Sequence, residues 1–234
     1  MNSSLDNKTR VLKIISLLEK EFPDAKIALN CANPFELLVA TILSAQCTDK
    51  RVNLVTRALF RKYRTAEDFA NAETKGLEQD VKSTGFYRNK AKNIKKTSQI
   101  LVEKYHSQVP RTMDEILELP GVARKTANVV LQNAYGVIEG IAVDTHVRRV
   151  STRLGLTKNM DPNKIETDLM EIVPHDKWMK ITDLLIILGR KICNAKKPKC
   201  EICTLNKICP SASTFKQNSR KKPQNTCSEK HNLS

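Results

Sequence analysis

The sequence lacks what a secreted or membrane protein needs. Met1 to Arg10 is polar, with no apolar core of the kind a signal peptide carries. The longest apolar stretch, Phe35 to Leu43, is interrupted by Glu36 and is far too short to span a bilayer. A soluble, cytoplasmic chain is therefore expected, nucleoid-associated if bacterial, with no membrane partner. β-Hairpin signals are scarce and no long-period repeat is visible, which argues against sheet folds and solenoids. Seven cysteines are present, and in a reducing compartment they point to metal binding or free thiols rather than disulfides.

What the chain has in excess is positive charge. Forty Lys and Arg stand against 25 Asp and Glu, a net +15. The segment after Cys209 accounts for +4 of this, so +11 remains on residues 1–209. A body that is itself basic favours a polyanionic partner, nucleic acid above all. Its 234 residues suffice for one or two domains with real cores.

Helical spacing dominates. Val11, Ile14, Ile15 and Leu18 line one face of a first helix ending near Pro23. Asn33-Pro34-Phe35-Glu36 combines an N-cap, a proline at the first helical position and an acid three residues after the cap. The helix it opens is apolar nearly all round, hence central. Asp49 is read as the cap of a helix carrying Val52, Val55, Leu59 and Phe60. Over 88–104, Ala91, Ile94 and Leu101 mark an inner face, while Arg88, Lys92, Lys95, Lys96 and Lys104 crowd the outer ones. Further helices are expected at 124–135, 145–154, 162–173 and 177–192, with Gly136, Gly140 and Gly155 as breakers. The result is an all-α protein. Residues 214–234 read as a disordered basic tail.

Cys193, Cys200, Cys203 and Cys209 place four thiols within 17 residues. Such a set suits tetrahedral zinc or a four-iron cluster. Only Cys200 and Cys203 are spaced as a zinc pair usually is, and the wider gaps suit a larger cubane; spacing leaves both open. Between the first two lies a basic loop pinned at both ends, whose Lys196, Lys197 and Lys199 can face phosphates or simply be solvated. Cys31, Cys47 and Cys227 fall outside the pattern and read as ordinary thiols.

Leu119-Pro120-Gly121-Val122-Ala123 is a turn leading into a helix. Gly121 permits a positive φ and a close backbone approach. The free N–H groups at the helix start can hold a phosphate without regard to sequence. Lys125 lies in the first turn of that helix, where the dipole opposes a cation and favours a nucleophilic amine; a surface lysine on a DNA phosphate is the plainer reading. Asp144 begins another helix, either as a simple N-cap or as a carboxylate that handles protons or developing positive charge.

Taken in order, these features resemble the endonuclease III family of helix-hairpin-helix DNA glycosylases, over residues 8 to 212. The resemblance rests on Phe35-Glu36-Leu37-Leu38, Ser44-Ala45-Gln46-Cys47-Thr48-Asp49, the hairpin Leu119 to Ala127, Val143-Asp144-Thr145-His146 and the four cysteines. It implies two helical lobes flanking a DNA cleft: a six-helix barrel over 27–137 with the helix-hairpin-helix, and a lobe of 1–26 and 138–213 holding a 4Fe-4S cluster on Cys193, Cys200, Cys203 and Cys209. It implies Lys125 as nucleophile and Asp144 as its acidic partner. The activity implied is that of a glycosylase and AP lyase of base excision repair. It would act, as a monomer, on double-stranded DNA carrying a damaged pyrimidine or an abasic site.

By the same resemblance Gln46 enters the space left by a flipped base, and Phe86 is an apolar wedge beside it. Ala123 departs from the pattern, which often has a second glycine there; a positive φ at Ala would cost about 1 kcal/mol. Two rivals remain at this level: an adenine-mismatch glycosylase of the same fold, which needs no covalent lysine, and a non-catalytic iron–sulfur DNA-binding protein.

Overall fold

The computed structural model describes residues 3–215. The readings made on the rest, Cys227 and residues 216–234 of the tail, lie outside the described residues; Thr214 and Phe215, read as the start of the disordered tail, instead continue a short helical turn from residue 212. Among the described residues all regular structure is helical, as expected.

Helix α1 runs Ser3–Glu21 and α2 Pro34–Leu43. Asn33 caps α2 by accepting from the Glu36 N–H at 2.9 Å, while the Glu36 carboxylate reaches back to the Ala32 N–H at 2.7 Å. Helix α3 is Asp49–Lys62, and here the reading needs correction: the cap is Thr48, whose hydroxyl accepts from the Arg51 N–H, and Asp49 is the first helical residue. Three short helices escaped the periodicity altogether: α4 (Ala66–Asn71), α5 (Thr74–Val81) and α7 (Met113–Leu117). Between α5 and α7 runs α6 (Tyr87–Tyr105). Then come α8 (Arg124–Tyr135), α9 (Thr145–Arg153), α10 (Pro162–Ile172) and α11 (Trp178–Lys191). Asp161 caps α10 through the N–H groups of Asn163 and Lys164, with proline at the first position as read.

The apolar faces close into two separate cores. One is enclosed by α2 to α8 and holds Leu38, Phe69, Ile94 and Leu131, with the Phe35 and Tyr63 rings 5.4 and 5.0 Å from that of Phe69. The other gathers α1 with α9, α10 and α11 around Ile14, Leu18, Val147, Ile165 and Leu185. The chain thus crosses from the second core to the first after Ala25 and returns before Ile141.

Polar clamps tie the two halves. Glu166 of α10, only 5% exposed, accepts from Arg124 Nε at 2.8 Å and from Asn128 Nδ2 at 2.9 Å, both on α8. Asp49 at the start of α3 pairs with Arg190 near the end of α11 at 2.6 Å. A cleft lies between the halves, lined from both.

Candidate active site and cysteine cavity

Lys125 and Asp144 line that cleft from opposite cores. Lys125 sits in the first turn of α8, half-buried, and forms no ion pair among the described residues. Asp144 is the N-cap of α9, as the plainer reading had it. Its Oδ1 accepts from the His146 and Val147 N–H groups at 2.8 and 2.7 Å. Oδ2 has no protein hydrogen bond among the described residues, so one carboxylate oxygen holds the helix while the other stays available to the cleft. Thr41, Ser44, Gln132, Asn133 and Asp183 add polar groups to the same walls. Asp183 was not singled out in the sequence. Burial lifts its carboxyl from the ordinary 3.8 to about 6, against the downward pull of Lys180.

The hairpin beside Lys125 is built as the turn required. Gly121 has φ +82°, and a Cβ there would also meet the Asn93 side chain at 2.8 Å, so glycine is needed twice over. Leu119 and Val122 are buried and anchor the turn, and Thr97 Oγ1 donates to the Pro120 carbonyl at 2.9 Å. Ala123 has φ −95° and ψ 168°. That is extended backbone open to any residue, so the missing second glycine costs no strain. As N-cap of α8, Ala123 has no side chain to accept from the first turn. The donors of that turn are left for an anion.

Gln46 and Phe86 project from two neighbouring loops. Both are exposed and both are left-handed, at φ 52° and 48°. A non-glycine residue held there costs on the order of 1 kcal/mol. Phe86, which comes after Gly85 at φ 72°, leaves 64% of its surface in solvent.

The four cysteines line a single cavity, whose other walls include Val150, Leu154, Leu188 and Ile192. They surround a space rather than converge on a point, and no group of three ligating side chains among the described residues is gathered for a single ion. Arg153 binds the first cysteine's segment through the Asn194 and Ala195 carbonyls, both at 2.8 Å, and reaches Cys193 Sγ at 3.3 Å. Arg149 donates to the Cys193 carbonyl at 3.2 Å. Burial and mutual repulsion push the thiols of Cys200, Cys203 and Cys209 up, Cys203 to about 11. Thiolates in this cavity therefore need compensating positive charge. Lys196, Lys197 and Lys199 stand exposed on the loop beside it. Cys31 and Cys47 are half-buried free thiols elsewhere.

Of the basic outer face on α6, Arg88, Lys92 and Lys96 are exposed. Lys95 instead caps the Ala72 carbonyl at 2.8 Å, and Lys104 pairs with Glu118. Sequence reasoning passed over Glu166, Arg190 and Lys90. Only Lys90 left a signal: it shares a helical face with Ile94 and Leu101.

An all-helical fold with a hairpin leading into a cleft lysine defines a class, and the model of the HhH-GPD superfamily base excision DNA repair protein matches residues 39–175. The chain is 51% identical to the endonuclease III of Synechocystis over 88% of its length and 94% of that protein's, and 51% identical to that of Bacillus subtilis over 80% and 86%. The Escherichia coli endonuclease III is 38% identical over 87% and 96%. A non-covalent endonuclease III–DNA complex superposes with a TM-score of 0.86 at 46% identity, covering 90% of this chain and 98% of that one. A trapped covalent endonuclease III–DNA intermediate superposes at 0.85 and 47%, covering 88% and 97%. The chain belongs to the endonuclease III family.

Proposed function

We propose that this member of a base-excision-repair glycosylase and lyase family removes oxidised pyrimidines from duplex DNA through a Schiff base on Lys125. It then cuts the strand 3′ to the abasic site by β-elimination. The observation that carries this is the convergence of Lys125 and Asp144, from two different cores, on one cleft beside a bare helix start. The trapped covalent intermediate formed by a relative supports it.

Each step can be built from the groups present. A damaged base leaves the stack, and the donors at the start of α8 hold the flanking phosphate. The Nζ lone pair of Lys125 forms a bond to C1′ as the C1′–N bond breaks, and the base leaves as its anion and takes a proton from solvent. Asp144, through the oxygen not used in capping, offsets positive charge on the sugar and accepts or returns protons. The C1′–O4′ bond then breaks as one Nζ proton passes to O4′ by way of Asp144, which leaves a protonated imine between Nζ and C1′. Loss of a C2′ proton then expels the 3′-phosphate, and water releases the lysine. A hydrolytic adenine-mismatch glycosylase would need no such lysine, and a half-buried Lys125 in the cleft, without an ion pair among the described residues, favours the lyase.

The division into a 27–137 lobe and a 1–26 plus 138–213 lobe is supported by the two cores. For the cofactor, Cys193, Cys200, Cys203 and Cys209 would hold a 4Fe-4S cluster. Four thiols spread around one cavity fit a polynuclear cluster better than a lone zinc ion, and Arg149 and Arg153 offset their charge. Bound there, the cluster would staple the loop that carries Lys196, Lys197 and Lys199 toward DNA. Purified protein should be brown and carry iron and sulfide; colourless, zinc-loaded protein contradicts the assignment.

The substrate reading is tested with two duplexes, one holding an oxidised thymine and one an adenine mispaired with a damaged guanine. Base release and 3′ cutting on the first, with the second untouched, is the result expected. Adenine release without strand cutting overturns it.

A further inference from the structure

Lys90 is a cation in the wrong place for an ordinary surface charge. It stands in the first turn of α6 and is only 5% exposed. No carboxylate pairs with it among the described residues. Its Nζ instead donates to two main-chain carbonyls, Leu43 and Thr84, each at 2.8 Å. Burial favours the neutral amine, an effect that nearby Cys47 opposes. A buried ammonium without a counter-ion is retained against a standing desolvation cost.

The two carbonyls are informative because of their places in the chain. Leu43 is the last residue of α2, three residues before Gln46. Thr84 ends the 3-10 turn Lys82–Thr84, two residues before Phe86. Carbonyls at the ends of helical segments lack partners inside the helix and carry partial negative charge, so one ammonium satisfies both. The ammonium brings three N–H donors and a positive charge on a long stem, whereas a hydroxyl has a single donor and a carboxylate has the wrong sign. Lys90 therefore joins the roots of two loops whose tips, Gln46 and Phe86, are both left-handed and exposed.

We propose that Lys90 is a positioning residue that locks the Gln46 and Phe86 loops into one duplex-entering pincer, so that both side chains reach the opened base step together. This rests on the reading that Gln46 and Phe86 enter the duplex. Lys90 touches no substrate. It acts on extrusion of the nucleotide and leaves the chemistry at Lys125 alone.

The test uses the full-length protein and a lesion duplex with 2-aminopurine paired opposite the lesion, whose fluorescence rises on unstacking. Lys90→Met keeps the stem but removes the donors, and Lys90→Arg restores two. In Lys90→Met the fluorescence rise should fall at least five-fold and kcat/KM about ten-fold or more, with Lys90→Arg recovering most of both. In a Gln46→Ala/Phe86→Ala background, Lys90→Met should cost less than two-fold further, because its route is already gone. A full-size additional loss there would mean Lys90 acts elsewhere and overturns the proposal, as would a normal signal in Lys90→Met. If Gln46→Ala/Phe86→Ala itself leaves the signal intact, the duplex-entering reading fails instead. Should Lys90→Met fold poorly, Lys90→Gln, uncharged and one carbon shorter in the stem so that its amide falls short of bridging both carbonyls, is read the same way and should fall between methionine and wild type; a wild-type signal from it overturns the proposal.

Discussion

Two helices begin at the same cleft, and they begin differently. Helix α9 is closed by its own sequence, since Asp144 takes up two of its first-turn N–H groups. Helix α8 is left open, because Ala123 has nothing to offer its first turn. Both caps have extended backbone, at φ −99° and −95°, so the contrast is one of side chain and not of shape. An uncapped helix start forgoes about 1 kcal/mol that Ser, Asn or Asp would supply. At α8 that loss coincides with the positive helix end and the glycine turn, the place where a phosphate can supply the missing acceptors. At α9 the carboxylate serves the helix with one oxygen, and the other, without a protein hydrogen bond among the described residues, is the one proposed above to handle charge and protons.

The comparison can be broken most sharply at Asp144. Asparagine caps about as well as aspartate, so Asp144→Asn should keep its melting temperature and DNA binding while turnover falls about 100-fold or more. Asp144→Ala should lose turnover and also about 1 kcal/mol of stability by denaturant unfolding. Wild-type turnover in Asp144→Asn would reduce Asp144 to a cap.

How much DNA grip lies away from α8 is measured by the cysteine loop. Replacing Lys196, Lys197 and Lys199 by Ala should weaken all duplexes alike, and the slope of log K against log salt should fall by about 2 to 3. An unchanged slope would leave the loop as a staple only.

Filling the open cap is the converse experiment. Ala123→Asp should raise stability by about 1 kcal/mol while weakening duplex binding about ten-fold, since its carboxylate both occupies the donors and repels the phosphate. A gain in stability with unchanged affinity would mean that α8 does not hold DNA.

The smallest effect is expected at Asp183, on the same side of the cleft as Asp144. Its folded carboxyl binds a proton more tightly than the ordinary 3.8, at about 6. Stability therefore falls as pH rises from near 4 to above 6. Asp183→Asn should match wild type near pH 4 and exceed it by about 1 kcal/mol at pH 8, a modest gain because the side chain keeps some solvent contact. Equal stability of the two proteins at both pH values would remove that cost from the cleft.

What could be read in the sequence was local. Asn33-Pro34, Asp161-Pro162 and Gly121 announce their turns because cap, proline and glycine act within a few residues. The cysteines were legible as a set, since their spacing is short. The clamps Glu166–Arg124 and Asp49–Arg190 were not, because each joins residues far apart in the chain and no local pattern records which charges will meet. Helices α4, α5 and α7 were missed because 5 to 8 residues are too few to develop a periodicity. Ala123 shows the limit of pattern alone: glycine's absence suggested strain, and the backbone angles show none. Lys90 shows the opposite error, a lysine lost among the charges of α6 although its register pointed inward.

The central claim is that Lys125, at the open helix start, becomes covalently bound to DNA. The most direct measurement is borohydride trapping on duplex DNA holding an abasic site or an oxidised thymine, with mass mapping of the adduct. One protein–DNA adduct is expected, on Lys125, and it should be absent from folded Lys125→Ala. No adduct with either substrate, or an adduct that survives in Lys125→Ala, would contradict the claim.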